Sequence, residues 1–224
     1  MTEHPTEVPK RSGIELRRDV ILIGASAGGV EAISKVLAGL PKDFNAAIAI
    51  TLHRGASHAS LLTEVLGARS KLEVVQARNA EPFSQGRVYL APPDHHLTFS
   101  GGFIELDHGP REQHARPSVD VMFRSGARDF GARVIGVILT GNLIDGVAGL
   151  SAIKRHGGLS LAQEPAEAVA PSMPLNALVY DGVDIVFRLA AAGEILTKLV
   201  GSKGVSAALE TRGARRPEDK KFDS

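Results

Sequence analysis

Ser26, His53 and Asp145 are the three residues of this sequence whose side chains together could carry out chemistry. Ser26 follows one aliphatic run, His53 closes a second, and Asp145 comes shortly after a third. Such runs are typical of buried strands, and the residues just beyond the carboxyl ends of parallel strands lie at one edge of a sheet. A serine hydroxyl becomes a strong nucleophile when an imidazole accepts its proton and a carboxylate orients that imidazole. The three positions therefore predict the active site of a serine hydrolase.

Each of the three residues also has an ordinary structural interpretation. Ser26 could occupy a turn or cap the following helix, His53 could be a strand-end histidine with a satisfied hydrogen bond, and Asp145 could cap the next helix. Their common placement beyond three strands favours catalysis, as does the Gly-x-Ser-x-Gly sequence around Ser26, which has the form of a nucleophile elbow. In such a turn the backbone of Ala27 and Gly28 can face a developing oxyanion. The chain order Ser, His, Asp differs from that of the α/β-hydrolases, so we do not expect that fold.

The elements that must position these residues alternate between strand and helix patterns. Such alternation predicts an α/β fold, a doubly wound and mostly parallel sheet with helices on both faces. The predicted strands are 19–24, 46–53, 133–140, 159–163 and 183–188, and the predicted helices are 28–40, 58–68, 146–156, a short one near 175–180, and 190–200. The segment 72–106 departs from this pattern, with short strands predicted at 72–76, 87–90, 97–100 and 103–106 and a turn at 100–102. We interpret it as an antiparallel hairpin excursion from the parallel core.

Composition restricts the class of protein. The chain has 43% hydrophobic and 23% charged residues and a net charge of +1, so charge gives no reason to expect binding to nucleic acid. It has no cysteine, which excludes disulfides and thiolate chemistry, and no apolar run approaches the roughly 20 residues of a membrane span. We expect one domain over 19–201, flanked by a flexible segment 1–18 and a flexible charged tail 202–224. The expected location is the cytoplasm.

Two other kinds of site are disfavoured by the spacing of residues. Neighbouring side chains on a strand point to opposite faces, so His95 and His96 are not expected to share a metal ion. The glycine loop around Ser26 lacks the G-x-G-x-x-G and Gly-Lys-Ser/Thr patterns of phosphate loops, which disfavours a nucleotide site. We expect neither a metal nor an organic cofactor. Further along the chain, Pro117 and Ser118 predict the start of a helix.

Several blocks of the sequence resemble the catalytic domain of the chemotaxis receptor methylesterases, the CheB type. The likeness covers about residues 19–200. The blocks are ILIGASAGGVE (21–31), TLH (51–53), YLAPPDHH (89–96), RPSVDVMF (116–123), GVILTGNLIDG (136–146) and the segment 162–177 with its Met173-Pro174 pair.

The resemblance implies a protein-glutamate methylesterase with a specific division of roles. Ser26 would be the nucleophile, His53 the general base and acid, and Asp145 the orienting carboxylate. The substrate would be a methylated receptor protein, at which the enzyme docks on the cytoplasmic part of a membrane receptor without being membrane-embedded itself. Deamidation of receptor glutamines through the same acyl-enzyme is implied as well. The alternative is a CheB-like binding or regulatory module with weak catalysis.

Three departures from the family pattern bear on these expectations. Ala27 replaces a usual threonine, which we expect to tune the site. Asn142 and Leu143 replace a usual Met-Gly pair in a segment that, with Gly141, contributes to the oxyanion pocket in the family. Loss of the glycine is expected to restrict the backbone, and Asn142 to compensate with a side-chain hydrogen bond. Only 18 residues precede the first predicted strand, so the sequence predicts a stand-alone domain without the family's usual receiver domain and without phosphorylation control in cis.

Overall fold

A seven-stranded, entirely parallel sheet forms the centre of the molecule. The computed structural model describes residues 17–53 and 59–201, and the segments 1–16, 54–58 and 202–224, which include most of the expected flexible ends, lie outside the described residues. In the order in which the strands lie, the sheet consists of β10 (Ile185–Phe187), β9 (Leu159–Gln163), β8 (Val134–Ile138), β1 (Val20–Ala25), β2 (Ala47–Leu52), β5 (Arg87–Leu90) and β3 (Glu73–Gln76). The chain passes from β1 to β2 on one side and later places β8 on the other. The carboxyl end of β1 is therefore the point where the winding direction changes, the usual location of a site in such sheets.

Helices cover both faces of this sheet. One face carries α1 (Gly29–Ala38), α2 (Ala59–Gly67) and α6 (Ala192–Gly201), and the other carries α3 (Val119–Phe130) and α4 (Val147–Arg155). The strands β1, β2 and β8 are buried along their whole length, which explains why they read as continuous aliphatic runs in the sequence. The predicted α/β class with a doubly wound parallel sheet is confirmed.

A small antiparallel sheet packs on the α3 side of the molecule. It consists of β4 (Glu81–Pro82), β7 (Phe103–Asp107) and β6 (His96–Ser100), and β6 and β7 form the hairpin predicted around Gly101 and Gly102. The interpretation of the whole segment 72–106 as antiparallel was wrong for β3 and β5, which join the parallel sheet beside β2. Residues 88–90 are buried on both sides, as a strand inside a parallel sheet requires.

Two further elements lie close to the site. Ser118 is the N-cap of α3, as its sequence predicts, and its side chain accepts a hydrogen bond from the N–H of Val121. The short helix expected near 175–180 begins earlier, as α5 (Ser172–Asn176), and continues as a π-helical turn over Ala177–Asp181.

Candidate active site

The turn after β1 holds Ser26 at the centre of the sheet edge. The N–H of Ser26 donates to the carbonyl of Thr140 at 3.0 Å, which ties the turn to the end of β8. The carbonyl of Ser26 accepts from the N–H of Gly29 at 2.9 Å, so the chain turns directly into α1. Gly28, the residue before α1, has a φ of 76°, a left-handed conformation that glycine adopts without the steric cost of a Cβ. This tight strand-to-helix turn leaves the Ser26 side chain partly exposed.

His53 lies at the end of the neighbouring strand. In the parallel register Ala25 is opposite Leu52, and the N–H of His53 donates to the carbonyl of Ala25 at 3.0 Å. The pairing thus continues one residue past the strand and sets residue 53 alongside residue 26, on strands that are spaced about 4.8 Å apart. Both residues line one cavity of about 530 Å³.

Asp145 is hydrogen-bonded to His53. Its Oδ2 lies 2.7 Å from Nε2 of His53, and the two side chains are 1% and 18% exposed. The carboxylate is thus fully enclosed, while the imidazole reaches the cavity.

The N-terminus of α3 supplies the other partners of Asp145. The backbone N–H of Val119 donates to Oδ2 at 2.7 Å and that of Asp120 donates to Oδ1 at 2.9 Å. The hydroxyl of Ser118 donates to Oδ1 at 2.9 Å. The first N–H groups of a helix have no partner within the helix and carry the positive end of its dipole. The N-terminus of α3 therefore stabilises an ionised carboxylate.

These contacts decide the charge of Asp145 and the protonation of the ring. Burial by itself would raise the pKa of Asp145, but the hydrogen bonds from His53 and from the backbone of Asp120 and Val119 outweigh it and hold the pKa below its ordinary value. An ionised Asp145 accepts the proton of Nε2, so a neutral His53 carries its free lone pair on Nδ1.

The loop after β8 lies so close to Ser26 that only a glycine fits at position 141. A Cβ on Gly141 would lie 2.1 Å from Sδ of Met173 and 2.8 Å from Cβ of Ser26. The N–H of Gly141 donates to the carbonyl of Ala170 at 2.8 Å, so in this structure that donor is occupied. Of the residues expected to support the oxyanion, Gly141 therefore contributes close approach, and Gly28 contributes the turn.

Thr140 joins this loop to the serine turn. Its hydroxyl donates to the carbonyl of Ala27 at 2.9 Å and accepts from the N–H of Ala170 at 2.8 Å. Its backbone N–H donates to Oε1 of Gln163 at 2.8 Å. Three segments that are distant in sequence are thus fixed around one buried hydroxyl.

Leu143 has the backbone conformation expected of the glycine that it replaces. Its φ is 70°, in the left-handed region, and its side chain is 63% exposed. The side-chain amide of Asn176 donates to the carbonyl of Leu143 at 2.7 Å and helps to hold this conformation. Because Leu143 has a Cβ, its backbone is strained in this left-handed conformation. The side chain of Asn142 is exposed beside it and has no hydrogen-bond partner among the described residues.

The cavity beside Ser26 and His53 is mainly apolar. Its walls come from β2, α1 and α2, and its described lining includes Leu52, Val30, Leu61, Leu62 and Val65. Val30, Leu61 and Val65 are all more than a third exposed, so an apolar surface is open to a ligand directly next to the two polar side chains.

Sequence reasoning missed the residues that hold Asp145. The sequence predicts only that a helix starts at Pro117 and Ser118, and nothing in it indicates which carboxylate that helix receives. His96, whose block resembles the family, lies behind Ser118 and is 2% exposed, and its Nδ1 accepts from the N–H of Ser118 at 3.2 Å. Its Nε2 donates to the carbonyl of Pro110 at 2.9 Å, so both ring nitrogens are occupied. Within residues 17–53 and 59–201, no three or more His, Cys, Asp or Glu side chains form a group able to hold a metal ion.

The fold and the sheet-edge cluster define the class of this chain as a doubly wound α/β domain with a candidate hydrolase site. The CheB methylesterase family model matches residues 21–196, and the chain belongs to this family. A crystal structure of the Thermotoga maritima CheB methylesterase catalytic domain superposes with a TM-score of 0.78 and 31% identity, over 81% of this chain and 98% of that one.

Some relatives of this chain are about twice as long as the part that matches it, and others are little longer than that part. The protein-glutamate methylesterase/protein-glutamine glutaminase 2 of Anaeromyxobacter dehalogenans is 41% identical over 170 residues, which are 76% of this chain and 50% of that protein. The protein of the same description from Methanosarcina mazei is 35% identical over 191 residues, 82% of this chain and 52% of that one. The chain thus spans about half the length of these two relatives, whereas it covers 94% of a relative from Leptospira interrogans that is 36% identical over 187 residues. In the described part of the chain, every helix is too short or too polar to cross a membrane.

Proposed function

We propose that this protein hydrolyses the γ-methyl esters of glutamate residues in receptor proteins, with Ser26 as nucleophile, His53 as general base and acid, and Asp145 as the orienting carboxylate. The observation that carries the proposal is the 2.7 Å hydrogen bond between His53 and the enclosed Asp145, beside Ser26 on the adjacent strand end. The names of the relatives agree with this chemistry.

Acylation would begin with attack of the Ser26 hydroxyl on the ester carbonyl. Because Nε2 of His53 is bonded to Asp145, the nitrogen that takes the serine proton is Nδ1. The resulting imidazolium is stabilised by the ionised Asp145, which keeps its negative charge throughout. The tetrahedral intermediate then collapses as the imidazolium returns the proton to the methoxy oxygen, and methanol leaves.

Deacylation repeats the sequence with water. His53 takes a proton from the water molecule as its oxygen attacks the acyl-enzyme, and the imidazolium returns that proton to Oγ of Ser26 as the acyl–oxygen bond breaks. The products are a glutamate side chain and free Ser26. A glutamine side chain would release ammonia in the first half of the same cycle, which is the deamidation implied by the family. We assign the oxyanion donors to the backbone N–H of Ala27 and the side-chain amide of Asn142, while Gly28 and Gly141 allow the close approach.

The apolar cavity supports an ester substrate in preference to an acid. A methyl ester is neutral and gains from contact with Val30, Leu52 and Leu62, whereas the ionised product would lose hydration there. The proposed partner is therefore a methylated segment with apolar residues next to its glutamyl ester, in the cytoplasmic part of a membrane receptor. The cytoplasmic location stays a prediction.

Methanol release from a methylated chemoreceptor fragment tests the proposal directly. Ser26→Ala should reduce kcat by several orders of magnitude, on the order of 10⁶ by analogy with serine triads. Ser84→Ala is the matched control, because Ser84 is an exposed serine just before β5, at the opposite edge of the sheet, and should leave the rate unchanged.

A fluorophosphonate probe separates catalysis from binding. Labelling of the folded protein at Ser26, and its loss in Ser26→Ala, is expected. An unlabelled folded protein that still binds the receptor fragment would instead identify a CheB-like binding module with weak catalysis. Methanol release at the unmodified rate in Ser26→Ala would reject the assignment of the nucleophile.

A further inference from the structure

Asp120 is a buried carboxylate that the proposed reaction does not use. It lies in the first turn of α3 and is only 3% exposed. Its Oδ1 accepts a hydrogen bond from the N–H of Gly149 at 2.6 Å, in the first turn of α4. A buried carboxylate is costly unless it is paired or well hydrogen-bonded, so its place next to the candidate active site requires an explanation.

Asp120 and Asp145 make a reciprocal exchange between two helices. Asp145, just before α4, accepts the N–H groups of Val119 and Asp120 at the start of α3. Asp120, at the start of α3, accepts the N–H of Gly149 at the start of α4. The N-terminus of α3 therefore binds the carboxylate that precedes α4, and the N-terminus of α4 binds a carboxylate of α3. Both sets of hydrogen bonds help to fix the position of Asp145.

The two helices are packed so closely that this arrangement has little freedom. A Cβ on Gly149 would lie 2.4 Å from Cβ of Phe123 and 3.2 Å from the Cα of Asp120. The start of α4 thus rests against the backbone of α3 at the level of Asp120. A weakened bond between Asp120 and Gly149 would release the start of α4, together with the residues that lead into it.

We propose that Asp120 is a positioning residue whose ionised carboxylate clamps the start of α4 to α3 and so holds Asp145 in the orientation that His53 requires. The proposal rests on the function proposed above for Ser26, His53 and Asp145. It adds that the site works only while a second buried carboxylate is ionised.

The surroundings of Asp120 make its charge easy to lose. Burial, followed by the nearby charge of Asp145, raises the pKa of Asp120 to about 6, against the opposing effect of the Gly149 and Gly146 N–H groups and of Arg124. Asp145 faces it from the segment before α4, with His53 on the far side of Asp145, and Arg124 lies one turn along α3, where it is paired with Glu112. A protonated Asp120 would lose its charge-assisted bond to Gly149 and the negative charge that, with Asp145, favours the imidazolium of His53.

The proposal predicts a particular form for the acid limb of the pH profile. If protonation of His53 alone stops the reaction, the rate on the acid limb falls in inverse proportion to the proton concentration, an inverse first-order limb. If Asp120 must also be ionised, the rate falls more steeply below about pH 6 and approaches an inverse second-order dependence on proton concentration. Removing the ionisable group at position 120 should leave the first-order limb.

The rate of Ser26 labelling by a fluorophosphonate is the appropriate measurement, because it needs the active site but no receptor. Asp120→Asn should lower the labelling rate at pH 8 by about 10- to 100-fold, the value of a hydrogen bond to a charged group. Its acid limb should be first-order where that of the unmodified protein is second-order. Asp129→Asn is the matched control, because Asp129 lies nine residues further along the same helix, roughly 14 Å away at 1.5 Å per residue, and contacts the turn at Gly101.

The outcomes distinguish this inference from the proposed function. No labelling of Ser26 at any pH would reject the proposed function, whereas labelling that Asp120→Asn leaves unchanged in rate and pH profile would overturn only the role of Asp120. If Asp120→Asn does not fold, the downfield proton resonance of the His53–Asp145 hydrogen bond in the unmodified protein decides. Its chemical shift should respond to an ionisation near pH 6 that is distinct from that of His53, and a resonance that follows one ionisation only would contradict the proposal.

Discussion

The orientation of the His53 ring is the residue-scale feature on which the proposed chemistry depends. Nε2 is engaged by Asp145, so in the proposed reaction the proton acceptor for Ser26 would be Nδ1, the reverse of the arrangement in chymotrypsin-like enzymes. An ionised Asp145 enforces this tautomer, and its side chain is only 1% exposed, which shields its oxygens from bulk solvent. In the proposed reaction, Asp145 would therefore select the tautomer of the ring that carries its proton on Nε2.

Asp145→Asn should abolish that selection. The amide presents one acceptor oxygen where the carboxylate accepts four hydrogen bonds, so its NH₂ group must face a donor from His53 or α3. We expect the rate of methanol release to fall by ~10⁴, as when a triad aspartate is replaced by its amide. Stability should fall as well, by about 1–3 kcal/mol, because buried donors lose their partner. Rates are compared per folded molecule, and a rate near that of the unmodified protein would show that Asp145 does not orient His53.

Leu143 carries strain that a single substitution can release. A non-glycine residue in the left-handed region costs about 1–2 kcal/mol, and the 63% exposed side chain loses little burial when removed. After the entropic cost of glycine, Leu143→Gly should raise the free energy of unfolding by up to about 1 kcal/mol in urea denaturation. Leu143→Ala is the control, because it shortens the side chain but keeps the Cβ that causes the strain. Equal stability of the two variants would mean that the strain at this position is negligible.

The three triad candidates could be predicted from the sequence, but their supports could not. Ser26, His53 and Asp145 follow strand patterns, and the ends of parallel strands meet by the geometry of the fold. Ser118 and Asp120 reach Asp145 only because α3 packs with its N-terminus against the start of α4, and no local pattern specifies that approach. The positive φ of Leu143 was likewise not expected, since the sequence there predicted a restricted backbone and not a strained one.

At the scale of elements, α3 is the part of the fold that makes the site. Its first turn gives two backbone N–H groups and the Ser118 hydroxyl to one carboxylate, while its apolar face packs on β1 through residues such as Val119 and Phe123. His96 on β6 then holds Ser118 from behind. The small antiparallel sheet therefore contributes to the site indirectly, by fixing the residue at which α3 begins.

Ser118→Ala tests this role of the helix start. The variant loses the N-cap of α3 and one hydrogen bond to Asp145, so we expect a loss of about 1–2 kcal/mol of stability and about a tenfold lower rate of Ser26 labelling. Ser125→Ala is the control, because Ser125 is a buried serine of the same helix whose hydroxyl bonds only to the carbonyl of Met122. If both variants lose stability but neither loses labelling rate, the Ser118 hydroxyl caps the helix and does not support the site.

Element boundaries were predictable where burial is uniform, and strand pairing was not. The strand β9 coincides with its predicted range Leu159–Gln163, and β1, β2 and β8 agree to within two residues at each end. A short strand has too few residues for its hydrophobic pattern to show which strand it pairs with. The sequence therefore placed β3 and β5 in the antiparallel excursion. The parallel pairing of β5 with β2, and of β3 with β5, is decided by burial of residues 88–90 between two helical layers, a property of the assembled fold.

At the scale of the whole molecule, the site is built where the two halves of the sheet diverge. Ser26 is bonded to β8 on one side and its strand pairs with β2 on the other, so the serine turn is held by both halves. Two separate apolar layers, on opposite faces of the sheet, hold these halves together. The cost of this arrangement is the burial of two carboxylates, Asp145 and Asp120, at the junction of α3 and α4.

That cost makes the stability of the fold depend on pH in a way that can be attributed to Asp120. Its pKa is raised from 3.8 to about 6 on folding, so between these values the folded protein retains a proton that the unfolded chain has lost. Stability therefore falls as the pH rises from about 4 to about 6, by up to about 3 kcal/mol. Asp145 acts in the opposite sense and in another window. Its pKa is lowered, so its contribution is present above pH 4 and is lost as the pH falls further.

Asp120→Asn should remove the decline between pH 4 and pH 6, because the amide carries no charge to bury and accepts the N–H of Gly149 only through a weaker, neutral hydrogen bond. Urea denaturation at pH 4.5 and 7.5 measures the free energy of unfolding of both proteins, with coincident fluorescence and circular dichroism transitions as the check for two-state behaviour. As the pH rises from 4.5 to 7.5, the free energy of unfolding of the unmodified protein should fall relative to that of the variant. The difference between the two proteins should change by about 1–3 kcal/mol in favour of the variant. Parallel pH dependence in both proteins would mean that Asp120 is not the group that titrates. Asp129→Asn, whose carboxylate lies at the other end of α3, should keep the pH dependence of the unmodified protein.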